Sequence, residues 1–202
     1  AGTPAGPTLR SVAQTSLAEP QSIQIDQRND LGRVILVVLQ EVIELYRFRD
    51  GQLVRSQTIE RGGKRAALAD LDGDADPDIL TASFDDDEVA WWENEAGGFL
   101  SKHVIDANTN GANTVFAVDL DQDGSSDIVT GNRLEISVYL NQIEEDGRRR
   151  GELSEPENYP LISLLRAMNS GDLDGDGDID VAVAMDGAVV VLWNNGAGSL
   201  SP

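Results

Sequence analysis

The chain has 202 residues, room for one large domain or two small ones, and 40% of them are apolar, enough for a sizeable core. It has no cysteine, which excludes thiol catalysis, zinc ribbons and a disulfide framework. Lys and Arg total 15 against 36 Asp and Glu, a net charge of −21 that disfavours nucleic acid and anionic membranes and favours cations as partners. No apolar run is long enough to span a bilayer.

The sequence opens Ala1-Gly2-Thr3-Pro4 rather than on Met. It reads either as a trimmed sequence or as the mature start of a secreted one, and we take residues 1–7 as a flexible segment. Residues 8–14 follow, with Leu9, Arg10, Ser11, Val12 and Ala13 forming a short β-type stretch. Beyond them the chain divides into repeats of about 21–60, 65–106, 113–160 and 165–202.

Three acidic strings mark the repeats. The first is Asp70-Leu71-Asp72-Gly73-Asp74-Ala75-Asp76-Pro77-Asp78. The second is Asp119-Leu120-Asp121-Gln122-Asp123-Gly124-Ser125-Ser126-Asp127, and the third is Asp172-Leu173-Asp174-Gly175-Asp176-Gly177-Asp178-Ile179-Asp180. Their first residues lie 49 and 53 positions apart. Each string follows a short apolar segment and precedes a β-type run, and a further apolar run then ends at Asn94, Asn141 or Asn194. A Gly-rich turn and a fourth short strand complete the unit. Four short strands per repeat, apolar on both faces and with no sustained helical period, make one blade of an all-β propeller.

The first repeat is a degraded copy. Aligning Tyr46-Arg47-Phe48 with Tyr139-Leu140-Asn141 puts Asp26 at the first loop position, Arg28 at the third and Val34 at the ninth. No metal is expected there. Arg28 either stands in the cation's place between Asp26 and Asp30 or is an ordinary solvated arginine. The last repeat stops at residues 198–202, where its fourth strand should begin. Val12 lies 14 residues before Asp26, as Val104 lies 15 before Asp119, so residues 8–14 read as a fourth strand moved to the N-terminus. The expected fold is therefore a four-bladed β-propeller over residues 8–202. Its N-terminal strand completes the last blade, either its own or that of a neighbouring molecule.

In each string, alternate residues turn their side chains inward. Carboxylates converge from loop positions one, three, five and nine, and the seventh carbonyl adds another oxygen. Such an all-oxygen set suits calcium better than magnesium, which demands tighter octahedral geometry and keeps its waters. An EF-hand would need flanking helices and a Glu at position twelve, where this chain has Thr81, Thr130 and Val183.

The strings, together with the turn Asn194-Asn195-Gly196-Ala197-Gly198, resemble the FG-GAP/VCBS repeats, the calcium-bearing blades of integrin-α-like propellers. The resemblance covers the chain from about residue 8. It implies a propeller, one calcium ion in each intact loop and an extracellular setting. Carried over by position, the ligands are Asp70, Asp72, Asp74 and Asp78; Asp119, Asp121, Asp123 and Asp127; and Asp172, Asp174, Asp176 and Asp180. Asp76, Ser125 and Asp178 would add carbonyls. Two departures stand out: family propellers commonly have seven blades rather than four, and the first loop is lost. Sites of this kind work at extracellular calcium levels, roughly 10⁻⁴–10⁻³ M. Three ions would offset six of the 21 excess negative charges.

Other residues carry weaker signals. His103 is the only histidine, so no catalytic dyad or transition-metal site is visible, and a structural role is expected. Trp92, Tyr139 and Leu192 share one blade position and Trp91, Val138 and Val191 the next; all read as core. Trp193 is the best candidate for an exposed aromatic, although packing is the expected role. Residues 142–153 form an insertion whose hairpin tip sets Glu144-Glu145-Asp146 against Arg148-Arg149-Arg150. Asp85, Asp86, Asp87 and Glu88 form an acidic turn on the opposite face, near residues 108–113, with solvation the expected role. The expected function is a non-enzymatic, secreted calcium-binding structural or adhesion protein that self-associates into a filament by strand exchange. The alternative is a glycan- or protein-binding propeller within a larger secreted protein.

Overall fold

A computed structural model describes residues 21–26, 34–39, 42–49, 52–60, 63, 65–95, 98–143 and 149–202. These residues build four four-stranded antiparallel sheets and one two-stranded hairpin, with no helix among them. Sheet one contains β1 (Ser22–Asp26), β2 (Val34–Val38), β3 (Val42–Arg49) and β4 (Gln52–Glu60). Sheet two contains β5 (Arg65–Ala69), β6 (Asp78–Ser83), β7 (Glu88–Glu95) and β8 (Gly98–Asp106).

Sheet three begins with β9 (Thr114–Val118), β10 (Asp127–Gly131) and β11 (Glu135–Tyr139). The hairpin of β12 (Asn141–Ile143) and β13 (Arg149–Leu153) interrupts it before β14 (Glu157–Pro160) closes its edge. Sheet four contains β15 (Leu165–Gly171), β16 (Asp180–Met185), β17 (Ala188–Asn194) and β18 (Leu200–Ser201).

The register is the same in every sheet. Ile35 pairs with Tyr46, Ile79 with Trp92, Ile128 with Tyr139 and Val181 with Leu192. Repeat positions inferred from the sequence therefore correspond in space. Because side chains alternate along a strand, each sheet presents one set of apolar residues to the sheet before it and another to the sheet after it. Leu36, Ile43 and Leu45 of sheet one pack with Ile79 and Phe99 of sheet two. Leu80, Val89 and Trp91 pack with Val115, Ile128 and Tyr139 of sheet three. Val129, Ile136 and Val138 then pack with Val181, Val183 and Leu192 of sheet four.

The four sheets thus stack in series, and among the described residues no apolar cluster joins sheet four to sheet one. Sheet four draws its fourth strand from its own end, as the two residues of β18 paired with Trp193 and Asn194. The expected N-terminal strand over residues 8–14, including Leu9, Arg10, Ser11, Val12 and Ala13, lies outside the described residues. So do the flexible segment 1–7, the hairpin tip 144–148 and the first loop around Arg28 and Asp30.

Candidate metal centres

Each acidic string links the first and second strands of its sheet, so the three loops occupy equivalent places in sheets two, three and four. The backbone enters the left-handed region at loop positions four and six every time. The residues are Gly73 and Ala75 (φ 80° and 74°), Gln122 and Gly124 (61° and 88°), and Gly175 and Gly177 (85° and 98°). Two left-handed residues on either side of one ordinary residue curl the chain tightly around its own carboxylates.

The backbone amides lock that curl. The amide of position five donates to the carboxylate of position three at 3.1, 3.2 and 3.1 Å in the three loops. Position six donates to position one at 3.1, 3.0 and 3.2 Å. Position seven donates to position five at 2.7, 2.7 and 2.9 Å.

The ninth position differs in kind. Asp78, Asp127 and Asp180 begin β6, β10 and β16 and are buried. One oxygen of each accepts the amide of the position-two leucine, Leu71, Leu120 or Leu173, at 2.9, 2.7 and 3.0 Å. The other accepts the amide of the asparagine that ends the third-strand run, Asn94, Asn141 or Asn194, at 3.0, 2.8 and 3.0 Å. The ninth carboxylate therefore ties the loop to its own sheet.

Three carboxylates converge in each loop: Asp70, Asp72 and Asp78; Asp119, Asp121 and Asp127; Asp172, Asp174 and Asp180, with one oxygen from each within 4.8 Å of the others. Asp74, Asp123 and Asp176, expected as fifth-position ligands, are not among these trios, and each accepts the seventh amide. The seventh residues, Asp76, Ser125 and Asp178, sit where the loop rejoins its sheet. The Ser125 hydroxyl bonds the Asp123 carboxylate and donates to the Asn141 carbonyl at 2.8 Å.

Close packing of like charges away from water raises the proton affinity of these groups. Burial pushes Asp78 up to about 7 and Asp127 up to about 6, although backbone amides pull each of them down. Burial, reinforced by neighbouring carboxylates, also holds Asp72 and Asp121 above their ordinary value. The second loop adds a further sign. Oδ1 of Asp119 is buried with no hydrogen-bond partner, whereas the same oxygen of Asp70 and of Asp172 accepts the amide of Gly73 or Gly175 at 2.7 Å. A buried acceptor facing two more carboxylates suits a hard cation, and the donor set is oxygen throughout. The residues fit calcium.

The loops are joined across sheets. Nδ2 of Asn141 donates to the carbonyl of Leu71 in the loop of sheet two, and Nδ2 of Asn194 donates to the carbonyl of Leu120 in the loop of sheet three. The Gln122 side chain reaches from the second loop to the third, bonding Oδ1 of Asp178 at 2.5 Å and the carbonyl of Gly177 at 3.3 Å. Sequence reasoning noted the asparagines as strand ends and missed this role. Their recurrence 14 or 16 residues after the ninth aspartate was the available signal.

Elsewhere the expectations mostly hold. His103 stacks on Trp91 with ring centroids 4.3 Å apart and bonds Glu93 at 2.9 Å, a structural use. With Tyr139, Leu153 and the exposed Glu152 and Glu155 these rings border a cleft of about 490 Å³ beside the β12–β13 hairpin. Asp87 anchors the facing segment through the amides of Gly111 and Thr109. Trp193 is 39% exposed, so its expected packing role is corrected: among the described residues no sheet covers it.

Four-stranded sheets stacked in series, with an acidic loop between the first two strands of three of them, define a β-propeller-like repeat fold. Residues 70–130 and 172–202 match the family model described as FG-GAP-like repeat. Among solved structures, the chain is similar to one described as the crystal structure of BBS1N in complex with ARL6DN, soaked with lead. That match has a TM-score of 0.62 and 13% identity over 94% of this chain, and it speaks to the β-propeller-like fold alone. This chain spans 57% of the length of that one. A comparison with curated proteins finds no match.

Proposed function

We propose that the protein is a non-enzymatic, calcium-binding propeller module with a structural or adhesive role outside the cell. The observation that carries this reading is the threefold recurrence of one carboxylate trio at one place in three successive sheets. A single acidic turn is common on a protein surface. Three in register, each holding a buried aspartate against its own desolvation cost, are costly unless a cation offsets the charge. FG-GAP repeats over two stretches of the chain support the same reading. The extracellular setting follows from the weak affinity expected of such open loops, which need roughly 10⁻⁴–10⁻³ M calcium. The short β18 edge favours extension of sheet four by the strand proposed at residues 8–14, from the same molecule or a neighbour.

Calcium titration by calorimetry tests the proposal. Three ions should bind per chain, and chelation should lower the melting temperature. An unchanged melt after chelation would count against ions that hold the fold together.

A further inference from the structure

Because the register is shared, inter-sheet contacts can be compared position by position. Val89 in β7 and Ile136 in β11 are 0% exposed, whereas Val189, at the same place in β17, is 74% exposed. In the acidic loops Leu71 and Leu120 are 1% and 0% exposed, whereas Leu173 is 51% exposed. Val191, equivalent to the buried Trp91 and Val138, is only partly covered, and Trp193 extends the same face. In sheets two and three this face is what the next sheet packs on. Sheet four carries the same apolar face, and among the described residues nothing covers it.

The other end of the series holds the matching surface. In sheet three, Ile128 and Tyr139 are the residues that meet Val89 and Trp91. Ile35 and Tyr46 occupy those places in sheet one, on the side turned away from sheet two, and both are only partly buried. One chain thus carries both halves of the contact that recurs inside it.

We propose that the open face of sheet four receives the outer face of sheet one from a second copy of this chain, continuing the inter-sheet packing from one molecule into the next. The contact is head to tail. Two copies close if their curvature permits, and longer series form if it does not. The sheet-one residue aligned with Asn141 and Asn194 is Phe48, which has no side-chain amide to offer the Leu173 carbonyl, so a docked copy lacks the asparagine latch. That makes the contact between molecules weaker than the contacts within one. Two chains of net charge −21 also repel, so association strengthens with salt and with bound calcium.

Sedimentation equilibrium of the full, calcium-loaded chain over a range of concentration and salt tests this, beside Val189→Asp. The substituted side chain is solvent-exposed in the single molecule, so the variant should fold and melt as wild type does when both are dilute. The wild type should self-associate with concentration, and V189D should weaken that association by about tenfold or more, as expected for charging one buried valine per contact. A wild type that stays monomeric throughout, or a V189D protein that associates equally well, overturns the proposal. A dilute V189D monomer that melts below the dilute wild type also overturns it, because the chain would then be covering the face itself. Val189 lies in no metal loop, so each of these failures leaves the calcium reading untouched.

Discussion

The side-chain amide of Asn141 donates a hydrogen bond to the carbonyl of Leu71, 2.7 Å away and 70 residues earlier in the chain. Asn194 repeats the bond to Leu120 at 2.8 Å. At its own backbone amide, each asparagine also holds the ninth aspartate of its own loop. One residue therefore fastens two successive loops, and several tests follow from that arrangement.

Replacing Asn141 with alanine leaves the buried Leu71 carbonyl without its donor while keeping the backbone bond to Asp127. An unsatisfied buried acceptor costs about 1–3 kcal/mol. Urea unfolding of N141A should show a loss of that size. Its calcium stoichiometry should be unchanged, because no carboxylate is removed. A loss of less than half a kcal/mol, by rough reckoning from the same range, would mean that the latch contributes nothing to folding.

The trios give a contrast within one loop. Asp72→Asn removes a converging carboxylate and should lower calcium stoichiometry from three ions to two. Asp74→Asn alters a group that lies outside the trio and caps the Asp76 amide, so the site should weaken but remain. Calorimetric titration separates the two. Equal loss in both variants would return the fifth position to the ligand set.

Protonation supplies a third test. Asp78 and Asp127 rise from the ordinary 3.8 to about 7 and about 6 in the folded, metal-free protein. A raised carboxylate pKa means that the native state holds the proton more tightly than the unfolded chain. The associated stability is complete below the ordinary value and is lost as pH rises through 6 and then 7. Metal-free protein should therefore lose stability across that window. Calcium, which binds the ionised form, should raise the melting temperature more above the window than below it, and should release protons on binding within it. A calcium-induced shift that is larger at acid pH would contradict this.

Two loop residues are held against their preference. Ala75 and Gln122 have φ values of 74° and 61°, where side chains other than glycine cost roughly 1–2 kcal/mol. Ala75→Gly should raise the thermal midpoint, since nothing but strain is removed. Gln122→Gly should gain less or lose outright, because it also deletes the bond to Asp178. Gln122→Ala keeps the strain and removes the bond, and should loosen calcium at the third loop as well as the second. Site-resolved NMR titration would show whether the third loop responds.

Much of this was legible in the sequence because it is local. The acidic strings, the strands on either side and the spacing of the repeats depend on residues within a few positions of one another. All of these appear in the structure where the pattern put them, from Asp70 through Asp180. The fate of Trp193 was not legible. Its equivalents Glu93 and Leu140 sit in sheets on which another described sheet packs, and no pattern within a repeat announces whether that face is covered. The same holds for Asn141, whose amide serves a carbonyl in a different repeat and whose spacing signals only a strand end. The fifth-position aspartates read as ligands because charge and spacing are visible in sequence, whereas which loop amide each carboxylate accepts is set by backbone curl and is not.

Both asparagine latches reach backward, each from one sheet to the loop of the sheet before it. The loops of sheets two and three have that holder. The Leu173 carbonyl in sheet four receives no such donor among the described residues, and its side chain lies open. Among the described residues the series therefore has a direction: its first two acidic loops are clasped from both sides and the third from one. A cation held in the third loop is the one that should exchange fastest, making that loop the place where falling calcium is felt first.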